Sequence, residues 1–532
     1  MFRRTALAAS ALLAASALVL TACTGSSDPA STATGAPDPD ASVAIRLVLE
    51  PGNLDIRQTA GAALDQILID NVYQGLVGRT PEQDIVPVLA EEYDVSPDGL
   101  TYTFTLREGV TFGDGQELTP QDVVWSLTTR RDTPEWADSA RLANIASITA
   151  EGQDITLTLS EPDSSLLWNL TGRAGLILKE GDTVEYATAA NGTGPFLLDS
   201  WRQGDSITFV RNDAYWGEPA ATAEVVFDYI PETQAALNAA LAGEVDVVTG
   251  FDANFTEQIE ADGGFEVVLG QSTDKGTLAM NQSAGSPLAD QRVRQAIRQA
   301  IDHSAFTDAF GAGQTLYGPI PELDPGYEDL SDVAPYDPDA ARQLLADAGA
   351  EDLDLTLTIP SFYPTTIPQI LVSDLNEVGI TLTVNSVDFP TWINDVYINK
   401  DYDLSFVLHT EARDFENWAN PDYYFTYDNP EVQELYQESL AATDETEAAA
   451  LLAEAARIVS EDAAADWLYN GASIVAVGTN VTGMPSINVN ERLNLADLAK
   501  IAGCGETDGV IVMRRPAPAP AARAVSLIRS DP

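Results

Sequence analysis

Apolar residues recur along this chain at two spacings, every second residue and every third or fourth, and their alternation predicts an α/β protein. Residues 43–49 form a strand candidate closed by Glu50-Pro51-Gly52, and Leu64, Ile67, Leu68 and Val72 give residues 62–77 helical spacing. Residues 101–106 alternate after the turn Pro97-Asp98-Gly99, which predicts a hairpin. Thr119-Pro120 then supplies an N-cap and a first-turn residue for a helix through Trp125. A second hairpin is predicted from residues 196–201 and 206–211 around Gln203-Gly204-Asp205. Residues 224–230, 232–242 and 245–248 read as strand, helix and strand, a unit suited to a parallel sheet. The later half repeats this logic: a helix from Pro338 capped by Asp337, a strand at 353–359, a helix at 367–378 and a strand at 380–388. Residues 430–461, rich in Ala, Glu and Leu, predict two scaffold helices.

The sharpest change of pattern follows residues 402–408, a short apolar run of β-forming residues that breaks into charge, amide and aromatic side chains at 409–425. It reads as a strand feeding a ligand-facing loop, because ligands of open α/β sheets sit beyond the carboxyl ends of the strands. A solvated loop with an aromatic anchor is the alternative. The run's place at the end of a three-strand lobe favours the cleft.

Composition narrows the function classes. The 82 Asp and Glu outnumber the 27 Lys and Arg, for a net charge of −55, which argues against a broad basic face for nucleic acid or an anionic bilayer. The chain of 532 residues exceeds what one core organises, so two or three lobes are expected. With Cys23 and Cys504 its only cysteines, no disulfide framework is expected. Met1-Phe2-Arg3-Arg4 and the apolar run to Leu20 describe an export signal over residues 1–22. Leu20-Thr21-Ala22-Cys23 resembles the bacterial lipobox, which would make Cys23 the lipid-bearing first residue of the mature protein. Residues 23–42, rich in Ser, Thr, Pro and Gly, fit a flexible tether. Gly-x-Ser-x-Gly, His-Glu-x-x-His and Walker loops are absent, and two histidines, His303 and His409, leave little material for a Ser-His or multi-His site. No enzyme activity, cofactor or metal site is expected.

Several separated segments resemble, in order, the peptide/nickel class of extracytoplasmic solute-binding proteins, family 5, that feed ABC importers. They are residues 71–77 and 122–127, Gly192-Thr193-Gly194-Pro195-Phe196, residues 211–217, Gly243-Glu244-Val245-Asp246-Val247, and residues 293–297 with Ala300-Ile301-Asp302. The resemblance implies a two-lobed periplasmic-binding-protein-like fold of type II, with mixed central sheets flanked by helices and an extra inserted domain. On this chain it places lobe I at 43–79, 191–279 and 481–505, the inserted domain at 80–190 and lobe II at 280–480, with hinges near Met280-Asn281 and Val481. It implies a monomer, lipid-anchored on the outer face of the cytoplasmic membrane, that closes on a peptide or other small solute and meets ABC permease subunits.

Gln58 and Thr59 join the ligand candidates by family position, beside His409, Glu411, Arg413, Asp414, Asn417, Trp418 and Tyr423 from the loop. In peptide-binding relatives an Asp four residues before a Pro takes the peptide's α-amino group; here that position is Asn417, so Glu411, Asp414 or Glu416 would supply the charge. A cationic or neutral non-peptide solute stays open. His409 also reads as a hydrogen-bonded strand-end residue, and Trp418 and Tyr423 either stack on ligand or pack the loop. Arg413 either clamps a carboxylate or pairs internally with Glu411 or Asp414. Arg292, Arg294 and Arg298 read as a solvated or salt-bridged helix face, and His303 as exposed. Residues 506–532 read as a disordered basic, Pro-rich tail without an assigned role.

Overall fold

The structure, a computed structural model, describes residues 35–59, 61–261, 263–490 and 492–502. The signal segment, Cys23, most of the tether, Cys504 and the basic tail lie outside the described residues. Ten strands form one continuous sheet, ordered Ile380–Val387, Leu353–Pro360, Leu404–His409, Phe265–Met280, Ala465–Gly478, Val247–Val248, Ser42–Leu47, Glu224–Tyr229, Ser206–Arg211 and Phe196–Arg202. The antiparallel pair at its middle, Phe265–Met280 and Ala465–Gly478, runs through both lobes: its first half pairs with Val247–Val248 and its second with Leu404–His409.

Strand direction places the cleft. Phe265–Met280 runs from the first lobe into the second, and Ser42–Leu47 runs the same way because it is parallel to Val247–Val248, which, like Phe265–Met280, is antiparallel to Ala465–Gly478. Leu404–His409 is antiparallel to Phe265–Met280, and Leu353–Pro360 and Ile380–Val387 are parallel to Leu404–His409. Both lobes therefore aim the carboxyl ends of their parallel strands at the crossing region, where open α/β sheets bind ligands. There the register breaks: Gln271 faces Ala472 and Lys275 faces Asn470, so residues 272–274 bulge opposite Gly471. The Asn470 amide donates to the Ser272 and Asp274 carbonyls at 2.9 Å each, filling part of the backbone pairing that the bulge removes. This break lies within the long strands, ahead of Met280-Asn281 and Val481, where the sequence placed the hinges.

A separate four-stranded sheet, Ala90–Val95, Thr101–Leu106, Asp154–Leu159 and Ile145–Glu151, has its own core around Phe104, Leu127, Ile155 and Leu157. The helix Pro120–Asp132 covers it, opened by a capping box in which Thr119 and Asp122 satisfy each other's backbone N–H. One core of the first lobe gathers Val43, Ile45, Phe209 and Phe227; one of the second gathers Leu278, Ile297, Leu357 and Leu404.

Three expectations need correction. The helix expected over 62–77 spans only Ala62–Leu68. Asp70 turns the chain at a left-handed φ of 67°, and Asn71 then reaches the C-terminal segment, donating to the Leu493 carbonyl at 2.6 Å and accepting from the Leu495 N–H at 3.0 Å. Gly192 and Gly194 pass against this turn, where added Cβ atoms would stand 1.9 Å from the Val72 oxygen and 2.4 Å from the Asn71 oxygen. That close approach gives the Gly-Thr-Gly motif a structural reason. Of the arginines on helix Gln291–Ala300, Arg292 is exposed and Arg298, though buried, is salt-bridged, as expected; buried Arg294 departs from the expectation. Arg294 donates to the carbonyls of Ala463, Leu288 and Asp462. Arg298 meets Asp466 at 3.2 Å, and His303, buried and stacked on Tyr317, meets the other Asp466 oxygen at 3.1 Å.

Removing Asp466 leaves buried Arg298 without its counter-charge. Asp466→Ala is expected to lower unfolding free energy by about 3–5 kcal/mol in urea denaturation, whereas Arg292→Ala, at an exposed position, is expected to leave it nearly unchanged. Equal small effects would contradict this reading of the network.

Candidate functional site

The carboxyl end of Leu404–His409 opens into the loop that the sequence singled out, and the structure divides its side chains into three groups. The first is buried and internally satisfied. Asp414 pairs with Lys275 of the crossing strand at 3.1 Å, both nearly inaccessible, and the Lys275 ammonium also donates to the Glu411 carbonyl at 2.7 Å. This pair ties the loop to the register break. His409 lies 2.8 Å from the Tyr424 hydroxyl and 4.0 Å from Asp414. Burial pushes its pKa from 6.5 down to about 4, outweighing the pull of Asp414. Trp418 is buried, stacked on Phe425 at 4.0 Å and edge-on to Trp467 at 5.1 Å, so it packs the core.

The second group faces the inserted unit. Glu411 and Glu416 point toward Arg141, with separations of 3.9 and 3.6 Å. Arg413, at a left-handed φ of 55°, lays its guanidinium over the Trp168 ring at 3.8 Å, and Arg79 lies over the same ring at 4.3 Å. Among the described residues neither Arg413 nor Arg79 has a carboxylate within ion-pair distance, and the buried Arg413 Nε has no hydrogen-bond acceptor. The internal pairing of Arg413 with Glu411 or Asp414 therefore does not form: Asp414 goes to Lys275 and Glu411 to Arg141. The third group is peripheral. Asn417 ends the short helical turn Phe415–Asn417, and half-buried Tyr423 packs edge-on against Tyr397 at 5.7 Å.

The space between the inserted unit and the second lobe is a cavity of about 1030 Å³, lined by Gln58, Arg141 and Trp168 on one side and Arg413, Glu416 and Tyr436 on the other. A smaller cavity of about 290 Å³ shares Arg141 and Trp168 and adds Arg79, Glu411 and Arg492. Thr59 is turned inward, donating to Asn53 at 2.6 Å, and lines neither cavity. Arg141, Trp168, Arg79 and Lys275 were not singled out in the sequence. No local signal flags Lys275, which follows Gln271-Ser272-Thr273-Asp274 in a strand of mixed composition, and the other three carry none, because folding alone brings the inserted unit to the loop. No cluster of His, Cys, Asp and Glu fit to hold a metal occurs among the described residues, and no described helix is long and apolar enough to cross a membrane.

Two α/β lobes joined by shared strands, with a charged cleft at their facing carboxyl edges, define a two-lobed binding protein. The family model described as bacterial extracellular solute-binding proteins, family 5, middle region, matches residues 84–431, and the chain belongs to this family of solute-binding proteins, which are not enzymes. Protein XP55 of Streptomyces lividans is 29% identical over 290 residues, 52% of each chain. Heme-binding protein A of Haemophilus influenzae is 26% identical over 347 residues, 58% of this chain and 63% of its own. The chain thus matches between about half and two thirds of these relatives' lengths. Among solved structures, the Helicobacter pylori periplasmic binding protein DppA in complex with the peptide STSA superposes with a TM-score of 0.76 at 23% identity, over 87% of this chain and 98% of that one.

Because the unfolded chain titrates His409 near 6.5 and the folded chain near 4, the unfolded state binds the extra proton between these values. Stability from neutral His409 is full above pH 6.5 and decays as pH falls toward 4. Urea titrations are expected to show a steeper loss across this window in the wild type than in His409→Gln. Equal slopes would contradict it.

Proposed function

We propose that this chain captures a peptide with free termini in the cleft and delivers it to ABC permease subunits, as a monomer held by lipid on Cys23 to the outer face of the cytoplasmic membrane. The observation that carries the reading is Arg413: a guanidinium lining the large cavity, beside Arg79, with no carboxylate within ion-pair distance among the described residues, although the Asp324 carboxylate sits nearby on the Arg413 backbone N–H at 2.7 Å. A buried cation calls for a counter-charge, and the α-carboxylate of a peptide supplies one. The exposed Glu416 of the same cavity, held only by a 3.6 Å contact to Arg141, suits the ammonium end. Glu416 thus takes the task for which Asn417 lacks the charge. The cavity volume, about 1030 Å³, lies near the upper end of ligand sites and fits a short peptide.

Lobe I then comprises 43–79, 191–279 and 481–505, the inserted domain 80–190 and lobe II 280–480, with bending concentrated in the bulge at residues 272–274. A solute that touches Arg413 and Arg141 at once binds the closed form better than the open one, and closes the cleft by that difference in affinity. A non-peptide anion is the second reading, supported by the same pair of arginines, neither of which makes a close ion pair. The XP55 match leaves the solute unassigned, and heme-binding protein A is named for a ligand unlike a peptide.

Calorimetry with a tripeptide and its C-terminal amide separates the two. The wild type is expected to prefer the free carboxylate by roughly 10- to 100-fold, the range of a charge-assisted hydrogen bond, and Arg413→Gln is expected to erase that preference. Equal affinity of the wild type for both forms would overturn the carboxylate assignment, and no binding of either would overturn the peptide reading.

A further inference from the structure

On lobe II a row of rings leads away from the ligand loop, and the charged cavities do not use it. Phe362 follows strand Leu353–Pro360, and Phe389 follows strand Ile380–Val387. Both strands run parallel to Leu404–His409, so both rings stand at the carboxyl edge that is aimed at the crossing region. Phe362 is 62% exposed and Phe389 43% exposed, in a chain with 82 Asp and Glu. Their centroids are 5.8 Å apart at 65°. The row then continues: Phe389 stacks on Trp392 at 5.6 Å, Trp392 lies 6.5 Å from Tyr397, and Tyr397 meets Tyr423 of the ligand loop edge-on at 5.7 Å.

The base of this row is fixed. Trp392 is buried and donates its indole N–H to the Ser405 hydroxyl at 2.9 Å, and Tyr363, beside Phe362, accepts the Leu408 N–H at 2.9 Å. The exposed rings therefore stand on a rigid floor built from the strand that carries the ligand loop. The first lobe presents an apolar position at its own cleft-directed edge, Leu49, 62% exposed just after strand Ser42–Leu47. Rings held rigidly at a cleft edge and left uncovered gain most when an apolar group of a ligand covers them.

We infer that Phe362 and Phe389 form a second subsite of the cleft that takes an apolar side chain of the bound peptide and sets a preference for aromatic or branched aliphatic residues. The inference rests on the peptide reading of the same cleft, and it commits to the captured solute as the occupant because the aromatic row is continuous with the ligand loop.

The test titrates the tetrapeptides Ala-Phe-Leu-Ala and Ala-Ser-Ser-Ala into the wild type, Phe362→Ser, and the double variant Phe362→Ser with Phe389→Ser. The wild type is expected to bind the apolar peptide roughly 10- to 100-fold more tightly, the range for burying one large apolar side chain. Both variants are expected to lose most of this margin while holding Ala-Ser-Ser-Ala unchanged. Phe362→Ser alone removes the more exposed ring and tests the subsite should the double variant fold poorly. A wild type that binds both peptides equally overturns the subsite and leaves the peptide reading standing, as do variants that keep the full margin. Variants that keep the margin but fail in reconstituted transport assign the rings to permease contact instead, and also overturn it. A wild type that binds neither peptide removes the peptide reading and the subsite together.

Discussion

Two strands that belong to both lobes set the geometry on which everything else depends. Because Phe265–Met280 and Ala465–Gly478 stay paired from one lobe into the other, the parallel strands on each side must point their carboxyl ends toward the crossing. The only interruption of that pairing is the three-residue bulge opposite Gly471 and the adjoining shift at Gly276. Lys275, at the bulge, is buried against Asp414, so the bulge and the loop after Leu404–His409 are joined by an ion pair that neither partner can leave cheaply.

That pair also explains how the loop's charges are divided. A buried lysine claims the nearest carboxylate, and the Asp414 carboxylate is thereby withdrawn from the cleft. Arg141 approaches Glu411 and Glu416 at longer separations, from a different unit of the fold. The Arg413 guanidinium lies on an aromatic face, with Asp324 close by but held by the backbone N–H of the same residue. In a chain so rich in acids this takes a specific arrangement, with the carboxylates of Asp414 and Glu411 engaged elsewhere, and it leaves Arg413 and Glu416 at separate places along one cavity.

Much of the fold was legible in the sequence because its signals are local. The hairpins at Pro97-Asp98-Gly99 and Gln203-Gly204-Asp205, the cap at Thr119-Pro120 and the strand before His409 all appear where turn chemistry and periodicity put them. The failures are the residues whose partners lie far away in the chain. Asn71 ends a helix to reach Leu493, and Arg298 and His303 converge on Asp466; periodicity carries no information about such meetings. The loop at 409–425 stands out by its abrupt change of composition, yet within it the sequence does not separate Asp414 from Glu416. That difference depends on Lys275, more than a hundred residues earlier, and on Arg141 in another unit. Trp418 was read as open to ligand because an aromatic in a polar loop looks the same whether it faces a cleft or a core; Trp467 and Phe425 decide the matter.

A small solute bound between the inserted unit and lobe II would meet Arg413 and Glu416 of one loop on one side and Arg141 on the other. The most direct measurement is a crystal structure of the protein grown with a bound tripeptide. The account predicts the peptide carboxylate within hydrogen-bond reach of Arg413 and its ammonium beside Glu416, enclosed between the inserted unit and lobe II. A peptide seated elsewhere, with Arg413 still lying on Trp168 and touching no part of it, would contradict the account.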